Sequence, residues 1–300
     1  MTGRPIAFIT DLGLHDDAVG MCKGLMLQIS PTSPIIDITH DVTPFDVEEG
    51  ALYVQDLSAF FPDGTVFCCV IYPETGSSVP TLAVENQRGQ VYVGPDNGVF
   101  SFALDVCHLQ AAYQVTNPAV IREPPTPSFY GRDVVVSCAA HLAAGFPVNQ
   151  VGPRIDDIVH LSRCDTACID GSIYGKVTII DKNFGNLWTN ITREILQSGG
   201  LGKEAVLGVQ IGDVRYKWSL VKTFADVPKG RPLAYFNSRD RLAFGLNQGN
   251  LAKQIDAVRG LDIRILRLSA EEQERDRAGD RGGMDDGIGN SIRHPVQAPE

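Results

Sequence analysis

Residues 5–29 read PIAFITDLGLHDDAVGMCKGLMLQI, and the fold class follows from this stretch. Residues 5–10 are an apolar, β-rich run that stops at Asp11-Leu12-Gly13. From residue 16 to 29 the apolar positions Val19, Cys22, Leu25, Met26 and Ile29 recur at helical spacing. The alternation continues. Residues 35–38 read as a second strand and residues 47–60 as a helix. Asp46 caps that helix, and Glu48 and Glu49 lie in its first turn, where the dipole favours them. Residues 65–71 (TVFCCVI) form a continuous apolar strand of the kind buried on both faces of a parallel sheet. Residues 82–85 and 91–93 read as a hairpin around 86–89, and residues 134–144 as an Ala- and Val-rich helix. Strand and helix in this order predict an α/β N-terminal domain with a largely parallel sheet, over residues 1–165. In such sheets ligands sit at the carboxyl ends of strands, which draws attention to Asp11 and Tyr72.

The texture changes after about residue 165. Residues 172–180, 206–211, 214–220, 233–237 and 263–268 are short β-like runs separated by Gly, Asp or Asn. Helical periodicity survives only near Ile195. These features predict a C-terminal antiparallel β-barrel or sandwich domain over 172–268, with the linker within 154–171. Residues 269–300 are rich in charge and glycine and poor in apolar side chains, so a disordered acidic tail is expected.

The net charge is −10, with 26 Lys plus Arg against 36 Asp plus Glu. That argues against a nucleic-acid partner, which needs clustered positive charge. No apolar run reaches the roughly 18 residues of a membrane span, and the N-terminus lacks signal-peptide features. A cytoplasmic protein with no membrane association is expected. The seven cysteines are odd in number and mostly lie in apolar runs, so they read as reduced, buried small hydrophobes. Cys164 and Cys168 lack a second ligand pair, and no metal site is expected.

The P-loop, HExxH and GxSxG signatures are missing. Other segments stand out, each with a plain alternative. Asp11 is either a turn residue or a carboxylate that accepts hydrogen bonds from a ribose diol. His40 sits at a strand end, and His141 reads as a core histidine. Residues 72–76 (YPETG) are a rigid turn ending a buried strand. Residues 128–133 (SFYGRD) open a helix whose N–H groups favour anions, with Gly131 allowing close approach of a ligand. Residues 181–190 (DKNFGNLWTN) are dense in polar and aromatic groups suited to an adenine edge and face, or are a turn between strands. Residues 237–240 (NSRD) are a hairpin turn or a carboxylate-holding pair.

Taken together, TDLG, VTPFDVEEGA, YPETG, VGPDNG, FYGRD, HLAAG, DKNFGNLWTN and NSRDRLAFGLN resemble one family. It is the S-adenosyl-L-methionine (SAM)-dependent halogenases and SAM hydroxide adenosyltransferases. The resemblance covers nearly all of residues 5–268 and leaves out the tail. It implies an α/β domain joined to a β-barrel, and a homotrimer with active sites at subunit interfaces. Hydrolase-type members carry Asp, Arg and His around the attacking water. By motif position this chain has Tyr72, Val79 and Tyr130 there, a set poorly suited to making hydroxide. Fluoride-using members carry Ser and a long hairpin insertion where this chain has Gly131 and a short turn. The resemblance therefore implies a SAM-dependent chlorinase, with SAM hydrolysis to adenosine as the alternative. SAM is a substrate, chloride a co-substrate, and no cofactor is expected. It further implies that Tyr72, Thr75 and Gly131 line the halide site, helped by Ser128, Phe129 and Tyr130. Asp11 would bind the ribose hydroxyls with Phe45 packed nearby. Asp181, Ser238 and Arg239 would hold the methionine end. Phe184, Asn186 and Trp188 would surround the adenine or methionine portion, with Phe224 and Asn247 close by. Phe45 and Phe129 stand at positions open to Trp in relatives, and Ser128 at one open to Thr. These departures bear on halide size, so bromide and iodide are further expected nucleophiles.

Overall fold

The computed structural model describes residues 3–202 and 206–268. The chain divides into two compact units between Ser162 and Arg163. The expected tail, 269–300, lies outside the described residues.

The first unit is built on seven strands: β1 (Ile6–Thr10), β2 (Ile35–Thr39), β3 (Val66–Val70), β4 (Thr81–Asn86), β5 (Val91–Pro95), β6 (Leu109–Gln114) and β7 (Arg154–Ile155). Their order is β2-β1-β3-β5-β4-β6-β7. The run β2-β1-β3-β5 is parallel, and β4, β6 and β7 continue it antiparallel. The apolar continuity of residues 65–71 has its cause here, because β3 is buried on both faces. Val66, Cys68 and Val70 join one core with Val19, Cys22 and Met26 of α1 (Ala18–Ile29). Phe67 and Cys69 join a second core with Val54 of α2 (Val47–Val54). Asp46 caps α2 as expected, accepting from the Glu49 N–H at 2.9 Å.

Two helical readings need correction. The helix expected over 47–60 breaks into α2 and a short α3 (Leu57–Phe60), with Gln55 and Asp56 between them. The segment expected as helix over 134–144 starts earlier, as a π-helical turn over Gly131–Val136, and becomes regular only in α4 (Ser137–Ala143). Such wide turns recur at functional sites, where the extra residue re-aims its neighbours.

The second unit comprises β8 (Ala167–Ile169), β9 (Ser172–Ile180), β10 (Leu187–Thr192), β11 (Val206–Ile211), β12 (Val214–Leu220), β13 (Pro232–Phe236), β14 (Arg241–Leu246) and β15 (Asp262–Leu266). Seven of them close into a barrel, β10-β14-β13-β12-β11-β15-β9, shut by the β9–β10 pairing, and β8 extends β9. The pairings are antiparallel except β12–β13, which is parallel. The barrel interior is filled by side chains that include Ile173, Leu187, Val209, Trp218, Phe244 and Ile265. β10 starts inside DKNFGNLWTN, at Leu187, and runs two residues past its end. Leu187, Thr189 and Ile191 alternate inward, so the last four residues of that polar-looking segment, 187–190, are strand.

Cys22, Cys68, Cys69, Cys107 and Cys138 are buried and reduced, but Cys164 and Cys168 are exposed. The reading of all seven as interior hydrophobes fails for these two, which lie between the barrel and the preceding unit in sequence rather than in an apolar run. Among the described residues no helix is long and apolar enough to cross a membrane.

Candidate active site

In the first unit the sequence-selected residues gather beyond the carboxyl ends of the parallel strands. Asp11 follows β1. Its carboxylate accepts the Phe45 N–H at 2.9 Å, and burial pushes its carboxyl above the usual carboxylate range. That single bond leaves further acceptor capacity on the carboxylate. Phe45 is held with φ 68° and its ring is 72% exposed. An exposed phenyl beside a half-buried carboxylate suits an apolar and a diol-bearing part of one ligand. His40 is buried behind this loop, with Nδ1 3.0 Å from Thr10 Oγ1. Its carbonyl accepts the Gly13 N–H at 2.7 Å. His40 thus supports the strand end that carries Asp11. His141 is half-buried, with Nδ1 2.9 Å from the Ser137 carbonyl.

Beyond β3 the 72–79 loop closes on itself. The Tyr72 hydroxyl donates to the Val79 carbonyl at 2.6 Å, and burial raises its pKa above the ordinary phenol value. Its proton is committed and it is a poor base. Asn97, after β5, donates its side-chain amide to the Ile71 carbonyl at 3.0 Å and to Glu74 Oε2 at 3.1 Å. It thereby pins YPETG. Sequence reading missed this role, although VGPDNG was among the quoted words; a side-chain amide directly after a strand end was the available signal.

The 128–131 segment meets this loop. The Tyr130 N–H donates to Thr75 Oγ1 at 3.1 Å. Phe129 and Tyr130 are half-buried against the core, while Ser128 is exposed. Gly131 is buried, and a Cβ there would lie 2.5 Å from Val70 Cγ1, so no side chain fits without movement.

Asp133 clamps the segment. Its carboxylate is fully buried and takes a bidentate pair of bonds from Arg132, at 2.7 and 2.9 Å. It also accepts the Thr126 N–H at 2.7 Å and lies 3.3 Å from Arg122 Nη1. Arg132 in turn donates to Thr126 Oγ1 at 3.0 Å and lies over the Phe129 ring at 4.9 Å. Burial alone would raise the Asp133 carboxyl. The Arg132 and Thr126 bonds outweigh it and bring the pKa down to about 2.

The second unit holds the other selected residues, at the β9–β10 and β13–β14 turns. Asp181 Oδ1 accepts the N–H groups of Asn183 (3.0 Å) and Phe184 (3.2 Å), and Oδ2 lies 3.3 Å from Asn186 Nδ2. The turn presents Phe184 outward, 66% exposed. Asn186 and Phe224 converge over Gly245, where a Cβ would meet Asn186 Oδ1 at 2.5 Å and the Phe224 ring at 2.9 Å. Phe224 packs on Tyr235 with ring centroids 4.9 Å apart. Burial pushes the Tyr235 phenol up to about 12. The Arg239 guanidinium lies 5.5 Å from the Trp188 ring centroid. Asp181, Asn186 and Phe224 are therefore connected through Gly245, with Tyr235 packed on Phe224, and Arg239 pairs with Trp188 beside them. Tyr235 and Gly245 were not singled out from sequence, though both lie inside or beside the NSRDRLAFGLN stretch. Ser238 is exposed in the turn. Asn247 donates its amide to the Val227 carbonyl at 2.8 Å and so supports the loop after Phe224. Among the described residues no group of three or more His, Cys, Asp or Glu side chains could hold a metal ion.

Comparison with known proteins decides the family. The SAM hydroxide adenosyltransferase N-terminal domain matches residues 6–152, and the corresponding C-terminal domain matches 175–264. The chain belongs to the SAM hydroxide adenosyltransferase family. Family members act on SAM as substrate, and the relatives of this one carry two names. A protein from Actinoplanes sp. named fluorinase is 40% identical over 293 residues, covering 88% of this chain and 98% of that one. A Thermus thermophilus protein named (R)-S-adenosyl-L-methionine hydrolase is 30% identical over 270 residues, covering 88% of this chain and all of that one. A Thermotoga maritima crystal structure, described as an uncharacterized conserved protein, superposes with a TM-score of 0.83 at 31% identity, covering 87% of this chain. The chain is thus an enzyme of a family that transfers the adenosyl group of SAM to halide or hydroxide.

Proposed function

We propose that this enzyme is a cytoplasmic SAM-dependent chlorinase. Chloride attacks the C5′ carbon of SAM in line with the sulfonium. The C5′–Cl bond forms as the C5′–S bond breaks, and its electron pair goes to sulfur. The products are 5′-chloro-5′-deoxyadenosine and neutral-thioether L-methionine. Chloride needs no deprotonation and the leaving group needs no proton, so the protein's task is to align the reactants and exclude water.

One observation carries the reading. At the nucleophile position the Tyr72 proton is held by the Val79 carbonyl, and Gly131 presents no side chain. Positions 72, 79 and 130 offer two phenols and a valine, none of them a base for water at neutral pH. Fluoride is disfavoured for a related reason. A strongly hydrated anion needs donors when desolvated, and the wall beside Gly131 is the Val70 methyl. By this reading Tyr72, Thr75 and Gly131, with Ser128, Phe129 and Tyr130, surround chloride. Asp11 and Phe45 take the ribose. The second unit's cluster, with Phe184, Ser238 and Asn247, takes the adenine and methionine ends.

Methionine release is therefore expected to rise from near zero in chloride-free buffer and to saturate with chloride. A rate independent of chloride, with solvent oxygen appearing in the nucleoside, would favour the second reading, a SAM hydrolase. That reading draws on the relatives named hydrolase. We also propose a homotrimer with active sites at subunit interfaces. Light scattering should then give three times the 32.5 kDa chain mass; a monomer that turns over SAM would contradict it.

A further inference from the structure

Gly131 has no side chain, and the direction a side chain would take is closed. Toward the sheet, the place a side chain would take is already filled. Val70 Cγ1 lies 2.5 Å from where a Cβ on Gly131 would sit, and the nearest Phe129 ring atom is 3.8 Å away. Val70 is the last residue of β3 and is 3% exposed. It shares its core with Tyr72, Phe129 and Tyr130. Valine is branched at Cβ and stiff at χ1, so this methyl group does not swing aside as the end of a long side chain would. The β3 backbone is paired with β1 as far as Val70 itself, opposite Thr10, and with β5 as far as Cys68.

We propose that Val70 is a specificity-determining residue for the nucleophile. Its γ-methyl forms the inner wall behind Gly131, sets the size of the anion admitted, and gives that wall no hydrogen-bond donor. The proposal rests on the chlorinase reading and names a residue that the sequence presents only as one more apolar position of a buried strand. Two consequences follow from the geometry. Trimming Val70 enlarges the cup and favours larger, more weakly hydrated halides. Trimming it also opens the volume that forbids a side chain at 131, so the effects of substitutions at 70 and 131 are coupled.

The test is internal competition. SAM is incubated with chloride and bromide together, and the ratio of the two halogenated nucleosides is read by mass spectrometry. A product ratio comes from the active molecules alone, so it is insensitive to any loss of folded enzyme. Val70→Ala is expected to shift the bromide-to-chloride ratio at least five-fold toward bromide. Gly131→Ala is expected to lower halogenation at least ten-fold in the wild-type background and by less than half that factor beside Val70→Ala. A Val70→Ala ratio less than five-fold above that of the wild type, or equal damage from Gly131→Ala in both backgrounds, overturns the proposal while leaving the chlorinase reading intact. A wild-type enzyme that makes only adenosine removes that reading and the proposal with it.

Discussion

Replacing Asp133 with Asn is expected to cost the protein about 3 kcal/mol, the low end of the range for breaking a buried ion pair. The carboxylate is fully buried and bonded to Arg132, Arg122 and the Thr126 N–H. Arg122 is half-exposed and can rehydrate, which places the loss at the low end. For a unit of this size the melting temperature should fall by roughly 6–12 °C. The pH dependence has a definite sign. A folded-state pKa of about 2, below the ordinary carboxylate value, contributes stability above about pH 4 that is lost as pH falls toward 2. Asp133→Asn should flatten that part of the acid-denaturation profile. The same clamp positions Thr126, Phe129 and the turn that starts at Gly131, so the variant should raise the KM for chloride. The calorimetric affinity for SAM should change much less. Equal losses of SAM and chloride binding would assign Asp133 a purely structural role.

Asp11→Ala should weaken SAM binding about 10- to 150-fold. That range corresponds to the roughly 1.5–3 kcal/mol of hydrogen bonds to a charged acceptor. The substitution removes the proposed ribose acceptor and frees the Phe45 N–H that Asp11 holds in place. Because burial raises the Asp11 carboxyl, SAM affinity in the wild type should begin to fall at a higher pH than an ordinary carboxylate would give. The loss tracks protonation, so it deepens as pH drops, and Asp11→Ala should abolish that dependence. An unchanged KM for SAM in Asp11→Ala would remove the ribose assignment.

Much of this was legible in the residues because its causes are local. The two-sided burial of β3 is written in TVFCCVI, and the α2 cap in Asp46 and Glu49. The loss of helical periodicity after residue 165, with short β-like runs in its place, marks a second, mostly β unit. Other features depend on partners distant in sequence. The π-helical turn over Gly131–Val136 (GRDVVV) leads into Ser137–Ala143 without a break signal in the sequence, and its packing on Val70 and its Asp133 clamp come from partners elsewhere in the fold. β10 is masked in the sequence because its outward residues, Trp188 and Asn190, are of the types that also line ligand sites, and its inward alternation of Leu187, Thr189 and Ile191 is short. Asn97, Tyr235 and Gly245 gain their roles from contacts across the fold, 23 residues to Glu74 in the first case. The relatives named fluorinase and hydrolase match the chain along most of its length, so in the proposed reading the choice of nucleophile rests on a handful of side chains around residues 70–79 and 128–131.

The most direct test of that choice is the identity of the nucleoside. Purified enzyme is incubated with SAM in chloride and in chloride-free buffer, and the products are read by mass spectrometry. The expected product is 5′-chloro-5′-deoxyadenosine, marked by the chlorine isotope doublet and formed only where chloride is present. Adenosine alone, formed equally in both buffers, would contradict the assignment of Tyr72, Tyr130 and Gly131 and place the enzyme with the SAM hydrolases.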